Sequence, residues 1–375
     1  MGKYVRGVGG ALVLLLLLVE SGGARELSFD LKPLDTLVRQ EMKGGSIPAV
    51  AVGLLLPDGR TLSRVYGLAD LERRVPATPD TLFSLGSVTK VFTALGVLKL
   101  LEEDRLTLED PVSAYFPGYP EGERISLRQL LQHTSGVTEV IRLPAWSANT
   151  ARDWTPQEAL ALFSKAPLDF EPGQRAQYSN SPFIILGLLL ERLSGRSYER
   201  YVQENIAAPL GITTLRMGSQ RKILPFRALG YVLEQGDVTN APAESPVSAY
   251  ASGGLMTTAE DLAKLGKAFL PGVLLSEQTL SAMTSPAELS DGSTFSFSQG
   301  ATEISFGMGL ELYTWHGHTV PAKNGAISGY SALFFAFPPS KIAVAVLTNL
   351  SGSDQAMHRI ARRAAAILSS GALPE

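Results

Sequence analysis

Ser87 and Lys90 stand three residues apart in "FSLGSVTK" (83–90), at the head of a run to Leu101 that is apolar on nearly every side. A helix that is apolar all round is buried, so Lys90 is expected inside the protein. At helical spacing the two side chains share a face and can touch. A buried ammonium is costly unless a partner or a task justifies it. A serine hydroxyl is a poor nucleophile until a base takes its proton, and a lysine whose charged form is disfavoured can be that base. The bland reading makes Ser87 a helix N-cap and lets Lys90 reach the surface along its stem. The spacing alone is cheap: Ser219-Gln220-Arg221-Lys222 repeats it in a polar stretch ahead of Pro225, where the lysine would be solvated.

Two more groups have suitable types. Tyr178-Ser179-Asn180 lies in a polar turn leading into the apolar "PFIILGLLL". A phenol beside a lysine can relay protons, and an amide can hold both a lysine and a substrate carbonyl. Structurally, the same residues would plug a seam and cap a helix. Lys323-Asn324-Gly325 precedes "ISGYSALFFAF". A strand edge beginning with Lys and Gly could offer charge to a carboxylate and close approach to a substrate backbone. The plain alternative is a solvated lysine beside a turn glycine, and Lys43-Gly44-Gly45 shows how easily Lys-x-Gly arises. His316 and His318 could ligate zinc, but no third ligand is in view, and no His-Glu-x-x-His occurs.

The elements that must position these residues follow from periodicity. Leu34, Leu37, Val38 and Met42 mark an amphipathic helix over 31–43. "AVAVGLLL" and "TLSRVYG" flank Pro57-Asp58-Gly59 as a β-hairpin, and "SALFFAF" and "IAVAVLTN" flank Pro338-Pro339-Ser340-Lys341 as another. Met357, Ile360, Ala361, Ala364, Ile367 and Leu368 form the stripe of a closing helix. The simplest assembly is one antiparallel sheet from both chain ends, covered by terminal helices. Helices are expected near 87–103, 127–133, 156–164, 181–194, 197–206 and 258–269, with Thr155 and Thr258 as N-caps. The stretch from 271 to 303 should hold one short helical piece at most. Loops 139–154 and 284–303 are expected to line the cleft.

The chain has 375 residues, 45% of them hydrophobic and 18% charged, which suits a globular enzyme large enough to bury its own core. A net charge of -3 leaves no basic stripe for nucleic acid. The absence of cysteine excludes disulfides, a thiol nucleophile and thiolate metal sites. Lys3 and Arg6 precede an apolar run, Val8 to Val19, and then Gly22 and Ala24 at small-residue spacing. This is a signal-peptide pattern. As a helix the run would reach about 18 Å against a hydrocarbon core of about 30 Å, so no stable span is expected after cleavage near Ala24.

In order and spacing, "SVTK", "YSN" and "KNG" resemble the motifs of the class C β-lactamase-like serine hydrolases, which include β-lactamases, D-Ala-D-Ala carboxypeptidase penicillin-binding proteins and related esterases. "LLQHTSG", "EPGQRAQYSN" and "ASGGLMTTAEDLAKL" extend the likeness over roughly residues 35 to 350. The resemblance implies an α+β fold of the β-lactamase/transpeptidase type; after the signal peptide over 1–24, the expected organisation is a sheet domain from 25–80 and 295–375 and a mostly helical domain over 81–294, with the active site between the two. It implies Ser87 as the acylated nucleophile and Lys90 and Tyr178 as its proton-transfer partners, the sequence leaving open which is the base. Asn180, Lys323, Gly325 and Ala326 become substrate contacts, with the backbone N–H groups of Ser87 and Ala326 as an oxyanion hole. His133 belongs to a structural loop. Asparagine inside the third motif departs from the Lys-Thr-Gly of β-lactamases and leaves the substrate open among a β-lactam, a D-Ala-D-Ala peptide and a small ester. The expected partner is a small-molecule or peptidoglycan-derived substrate, with no cofactor, no metal and no nucleic acid, in an exported protein, periplasmic or extracellular, with an uncleaved N-terminal membrane anchor as the alternative to cleavage. A penicillin-binding sensor or scaffold with little turnover is the alternative from another class.

Overall fold

The computed structural model describes Gly2 and residues 29–299, 302–315 and 317–369. The expected signal segment (apart from Gly2) and His316 lie outside the described residues. The principal element is a nine-stranded sheet. Its strands, numbered along the chain, are β1 (Ala49–Leu55), β2 (Thr61–Asp70), β3 (Val75–Pro76), β4 (Ser296–Gln299), β5 (Thr302–Phe306), β6 (Glu311–Trp315), β7 (His318–Ile327), β8 (Tyr330–Phe337) and β9 (Ile342–Thr348). They lie in the order β3-β2-β1-β9-β8-β7-β6-β5-β4 with every neighbouring pair antiparallel. Both expected hairpins are present, and β1 pairs with β9 so that the two chain ends meet mid-sheet.

Side-chain alternation divides the two faces. Val50, Val52, Leu54, Leu333, Phe335, Val344 and Val346 point to one core, which the terminal helices α1 (Lys32–Gly44) and α4 (Asp354–Leu368) cover with Leu34, Val38, Met357 and Ile360. Ala49, Ala51, Ala332, Phe334, Ala343, Ala345 and Leu347 point to the other, larger core, which continues into the helices of the middle of the chain. The second face is rich in small residues because a helix lies almost on the backbone there. A Cβ at Gly53 would fall 1.8 Å from the carbonyl oxygen of Ala259, at the start of the helix Ala259–Lys264.

The helical middle is built around two helices that are buried on nearly every side, α2 (Thr89–Glu102) and α3 (Ser181–Ser194). Thr155 caps the helix Pro156–Phe163 in a capping box with Glu158, and Thr258 caps the helix after it through the Asp261 N–H. Between 271 and 295 the chain carries one short helix, Glu277–Met283, before rejoining the sheet. Among the described residues no helix is long and apolar enough to cross a membrane.

Gly53→Ala is expected to cost about 1–3 kcal/mol by forcing the helix at Ala259 off the sheet. It should lower the denaturant midpoint with the slope unchanged. An unaltered midpoint would mean that the helix yields freely and that the small-residue face is not needed for its approach.

Candidate active site

The strand Phe83–Ser84 pairs with Leu255–Thr257 and delivers the chain into a 3-10 turn, Gly86–Val88, that runs directly into α2. Gly86 has φ +48°, a conformation that favours glycine. The turn sets Ser87 at the helix start, where early N–H groups lack intrahelical partners. The Ser87 side chain caps nothing: α2 has no side-chain cap, and the Ser87 hydroxyl instead meets Tyr178 and Lys90. Lys90 does not snorkel; it is wholly buried.

Lys90 Nζ lies 3.3 Å from Ser87 Oγ, 2.7 Å from Asn180 Oδ1 and 2.8 Å from the Ser252 carbonyl oxygen. As an ammonium it donates to all three. As a neutral amine its two N–H bonds match the amide and carbonyl oxygens, and its lone pair is left for the Ser87 proton. Burial favours this second form and holds Lys90 below the ordinary lysine range; the Lys323 charge adds to the effect, while Tyr178 and Glu139 oppose it. Tyr178 Oη donates to Ser87 Oγ at 2.6 Å. Burial would raise this phenol, but the Lys323 and Lys90 charges, with Nζ atoms 4.6 and 4.9 Å from the ring centroid, outweigh it and bring Tyr178 below its usual value. Amine and phenol, both coupled to one hydroxyl, titrate as a pair.

Asn180 occupies the N-cap position of α3 without capping it. Its backbone N–H and its Nδ2 both donate to Glu139, the latter at 3.2 Å, so that Oδ1 is turned to Lys90. Glu139 is buried and receives the Ile141 N–H as well. His133, also buried, packs with its ring tilted against that of Tyr178, centroids 4.6 Å apart, and accepts the Ser179 N–H at Nδ1. Burial, then the Lys323 and Lys90 charges, keep it neutral, consistent with a supporting role.

The third motif departs from expectation. Lys323 is the first residue of β7 beyond its pairing with β6, so it does begin a strand edge, but it is buried instead of open to solvent, with Nζ 2.5 Å from Glu311 Oε1 on β6. Burial would lower Lys323, but the Glu311 and Tyr178 charges keep it raised. Burial would likewise raise Glu311, yet Lys323 and Asn324 hold its carboxylate below the usual range. Asn324 donates to Glu311 at 2.7 Å and meets His358 of α4 at 3.0 Å. Gly325 is required by the chain's own backbone: a Cβ there would lie 2.0 Å from the Leu85 carbonyl oxygen. Beyond Ala322, β7 outruns β6, so this edge faces the Gly86–Val88 turn, and a Cβ on Gly86 would stand 2.6 Å from the Ala326 nitrogen. The backbones carrying the Ser87 and Ala326 N–H groups are thus adjacent, as two donors to one oxyanion must be.

Ser87, Asn180 and Ala326 open onto a cavity of about 130 Å³. The expected 139–154 loop supplies Val140, Ile141, Trp146 and Thr150 to its wall; 284–303 supplies none among the described residues, and 244–253 does so instead. The Lys222 copy of the first motif is exposed, as its polar surroundings predicted. Among the described residues no three His, Asp or Glu side chains gather as a metal site, and His318 is exposed at the start of β7.

A large antiparallel sheet with a serine, lysine and tyrosine at its junction with a buried helix defines the β-lactamase/transpeptidase-like fold. The family model described as Beta-lactamase matches residues 34–369, and the chain belongs to this family of serine hydrolases. It is similar to protein flp of Staphylococcus aureus (strain COL), 29% identical over 61% of this chain and 47% of flp. The chain spans about half the length of the curated relatives it matches. Among solved structures, the octameric penicillin-binding protein homologue from Pyrococcus abyssi matches at TM-score 0.76 and 28% identity, over 92% of this chain and 79% of that one. A D-stereospecific amidohydrolase from Streptomyces sp. matches at TM-score 0.72 and 25% identity, over 87% and 98%.

Because the Lys323 charge lowers both Lys90 and Tyr178, removing it should raise both. The double variant Lys323→Met/Glu311→Gln, which leaves no unpaired buried carboxylate, is expected to move the rising limb of the pH–acylation profile alkaline by on the order of one pH unit. Stopped-flow acylation from pH 6 to 10 measures it. A limb that stays in place would mean that the Lys323 field does not tune the pair.

Proposed function

We propose that this protein is a serine hydrolase working through an acyl-enzyme on Ser87. The observation that carries the reading is the placement of Ser87 Oγ 2.6 Å from Tyr178 Oη and 3.3 Å from a wholly buried Lys90 Nζ. The Lys90–Tyr178 pair takes the Ser87 proton as Oγ bonds to the substrate carbonyl carbon. The carbonyl oxygen takes the negative charge against the Ser87 and Ala326 N–H groups. The C–N or C–O bond then breaks, the pair returns its proton to the leaving amine or alcohol, and water repeats the sequence in reverse to release the acid.

Substrates are small amides, esters or β-lactams, in line with the cavity beside Ser87. Lys323 contributes field more than direct carboxylate binding, since its ammonium is buried and paired with Glu311. An amide substrate accords with the likeness to the amidohydrolase. The Val8–Val19 run and the small residues to Ala24 support export with cleavage there.

Intact mass after mixing with benzylpenicillin or p-nitrophenyl acetate tests the nucleophile. Wild type should gain one acyl group from at least one reagent, and Ser87→Ala none, with turnover down by at least about 10³-fold. An adduct that survives in Ser87→Ala, or none in wild type with either reagent, would remove the reading. A lasting penicillin adduct without turnover would instead favour a penicillin-binding sensor.

A further inference from the structure

Of the residues lining the cavity beside Ser87, Glu244 alone carries a formal charge. We propose that Glu244 is a specificity residue that binds the free α-ammonium group of an amino-acyl substrate, so that the protein hydrolyses aminoacyl amides or esters in preference to N-acylated ones. This rests on the Ser87 acyl-enzyme reading above and adds the substrate class.

The other two acids of the site are spent internally, Glu139 on Asn180 and Ile141 and Glu311 on Lys323 and Asn324. Glu244 is different. Its Oε2 accepts the Ser328 N–H at 2.9 Å, and among the described residues its Oε1 has no hydrogen bond and the carboxylate no ion pair. The carboxylate is held in place from both sides. The next residue, Ser245, is buried and caps the helix Pro246–Gly253, its N–H donates to the Thr150 carbonyl and its hydroxyl to Asp153. Ser328 further ties the loop down through Oγ to the Pro242 carbonyl. A half-buried, pre-positioned carboxylate with one oxygen free is an acceptor for a cation, and it repels a carboxylate at the same place.

The rest of the wall suits the remainder of such a substrate. Val140, Trp146, Ile184 and Ile327 offer an apolar surface for a side chain. The volume, about 130 Å³, is of the order of an apolar cavity that holds one benzene ring, about 150 Å³. An amino acid places its ammonium one carbon from the carbonyl that Ser87 attacks. The reaction is the one already written: Oγ bonds to the aminoacyl carbon, the amide or ester bond breaks with a proton to the leaving group, and water releases the free amino acid.

The test compares kcat/KM for alanine and phenylalanine p-nitroanilides, both enantiomers, with their N-acetyl counterparts, alongside p-nitrophenyl acetate. At pH 7 wild type is expected to favour the free amines by about tenfold or more, a charge-assisted hydrogen bond's worth. The preference should fade as pH rises past about 8, where an α-amino group loses its proton. Glu244→Gln keeps an acceptor for the Ser328 N–H but not the charge, and should cut the ratio about tenfold; a purely structural Glu244 would leave both the ratio and its pH dependence unmoved. Equal or better use of the N-acetyl compounds by wild type, or an unchanged ratio in Glu244→Gln, overturns the proposal. If p-nitrophenyl acetate is consumed through Ser87 but no aminoacyl compound is, the proposal fails while the hydrolase reading stands. If no substrate acylates Ser87, the hydrolase reading fails first.

Discussion

Everything around the candidate site depends on keeping one lysine amine out of water beside one serine. A desolvated ammonium is costly, and a desolvated amine must still have its N–H bonds accepted. Asn180 and the Ser252 carbonyl accept them, and each needs its own support. Glu139 turns the Asn180 amide, and the Thr93 hydroxyl on α2 holds the neighbouring Ala251 carbonyl at 2.7 Å. The burial of α2 and α3 on nearly every side serves the same need, keeping solvent from the faces that carry Lys90 and follow Asn180.

A second lysine, Lys323, also sits over the Tyr178 ring, and it is stable there because Glu311 lies on the neighbouring strand. Opposite charges on paired antiparallel strands hold each other at short range in a low-dielectric setting, where one without the other would be strongly destabilising. The result is a fixed positive field on the phenol and the amine. Gly325 and Gly86 bring β7 against the nucleophile turn closely enough for this field, and for the two backbone N–H donors, to reach Ser87.

Much of this was legible along the chain. The sheet strands showed in their alternation, α2 and α3 in their lack of a polar face, and the caps at Thr155 and Thr258 in local chemistry. Ser87, Lys90, Tyr178 and Asn180, chosen by type and order, do come together, over sequence separations of 90 and more. What escaped was the set of partners defined only by folding. Glu139 supports Asn180 from 41 residues away, Glu244 reaches Ser328 across 84, and the Ser252 contribution is a backbone carbonyl with no side-chain signal. Glu311 was within reach of sequence reasoning, since a hairpin pairing 311–315 with 318–322 sets it near Lys323. Lys323 does begin the stretch of β7 that β6 leaves unpaired, but its burial was not legible because it arises from Glu311 and Tyr178, and a lysine read alone defaults to solvent.

The central claim is that Lys90 and Tyr178 share the proton economy of Ser87 in a dry site. It is tested most directly by NMR titration of protein labelled with 15N at lysine Nζ and 13C at tyrosine Cζ, with Lys90→Ala and Tyr178→Phe to assign the signals. The account predicts that both resonances titrate below their ordinary ranges, and that each moves when the other changes protonation. A Lys90 that stays cationic up to about 10.4, like a free lysine, with Tyr178 at or above its ordinary value, would contradict it.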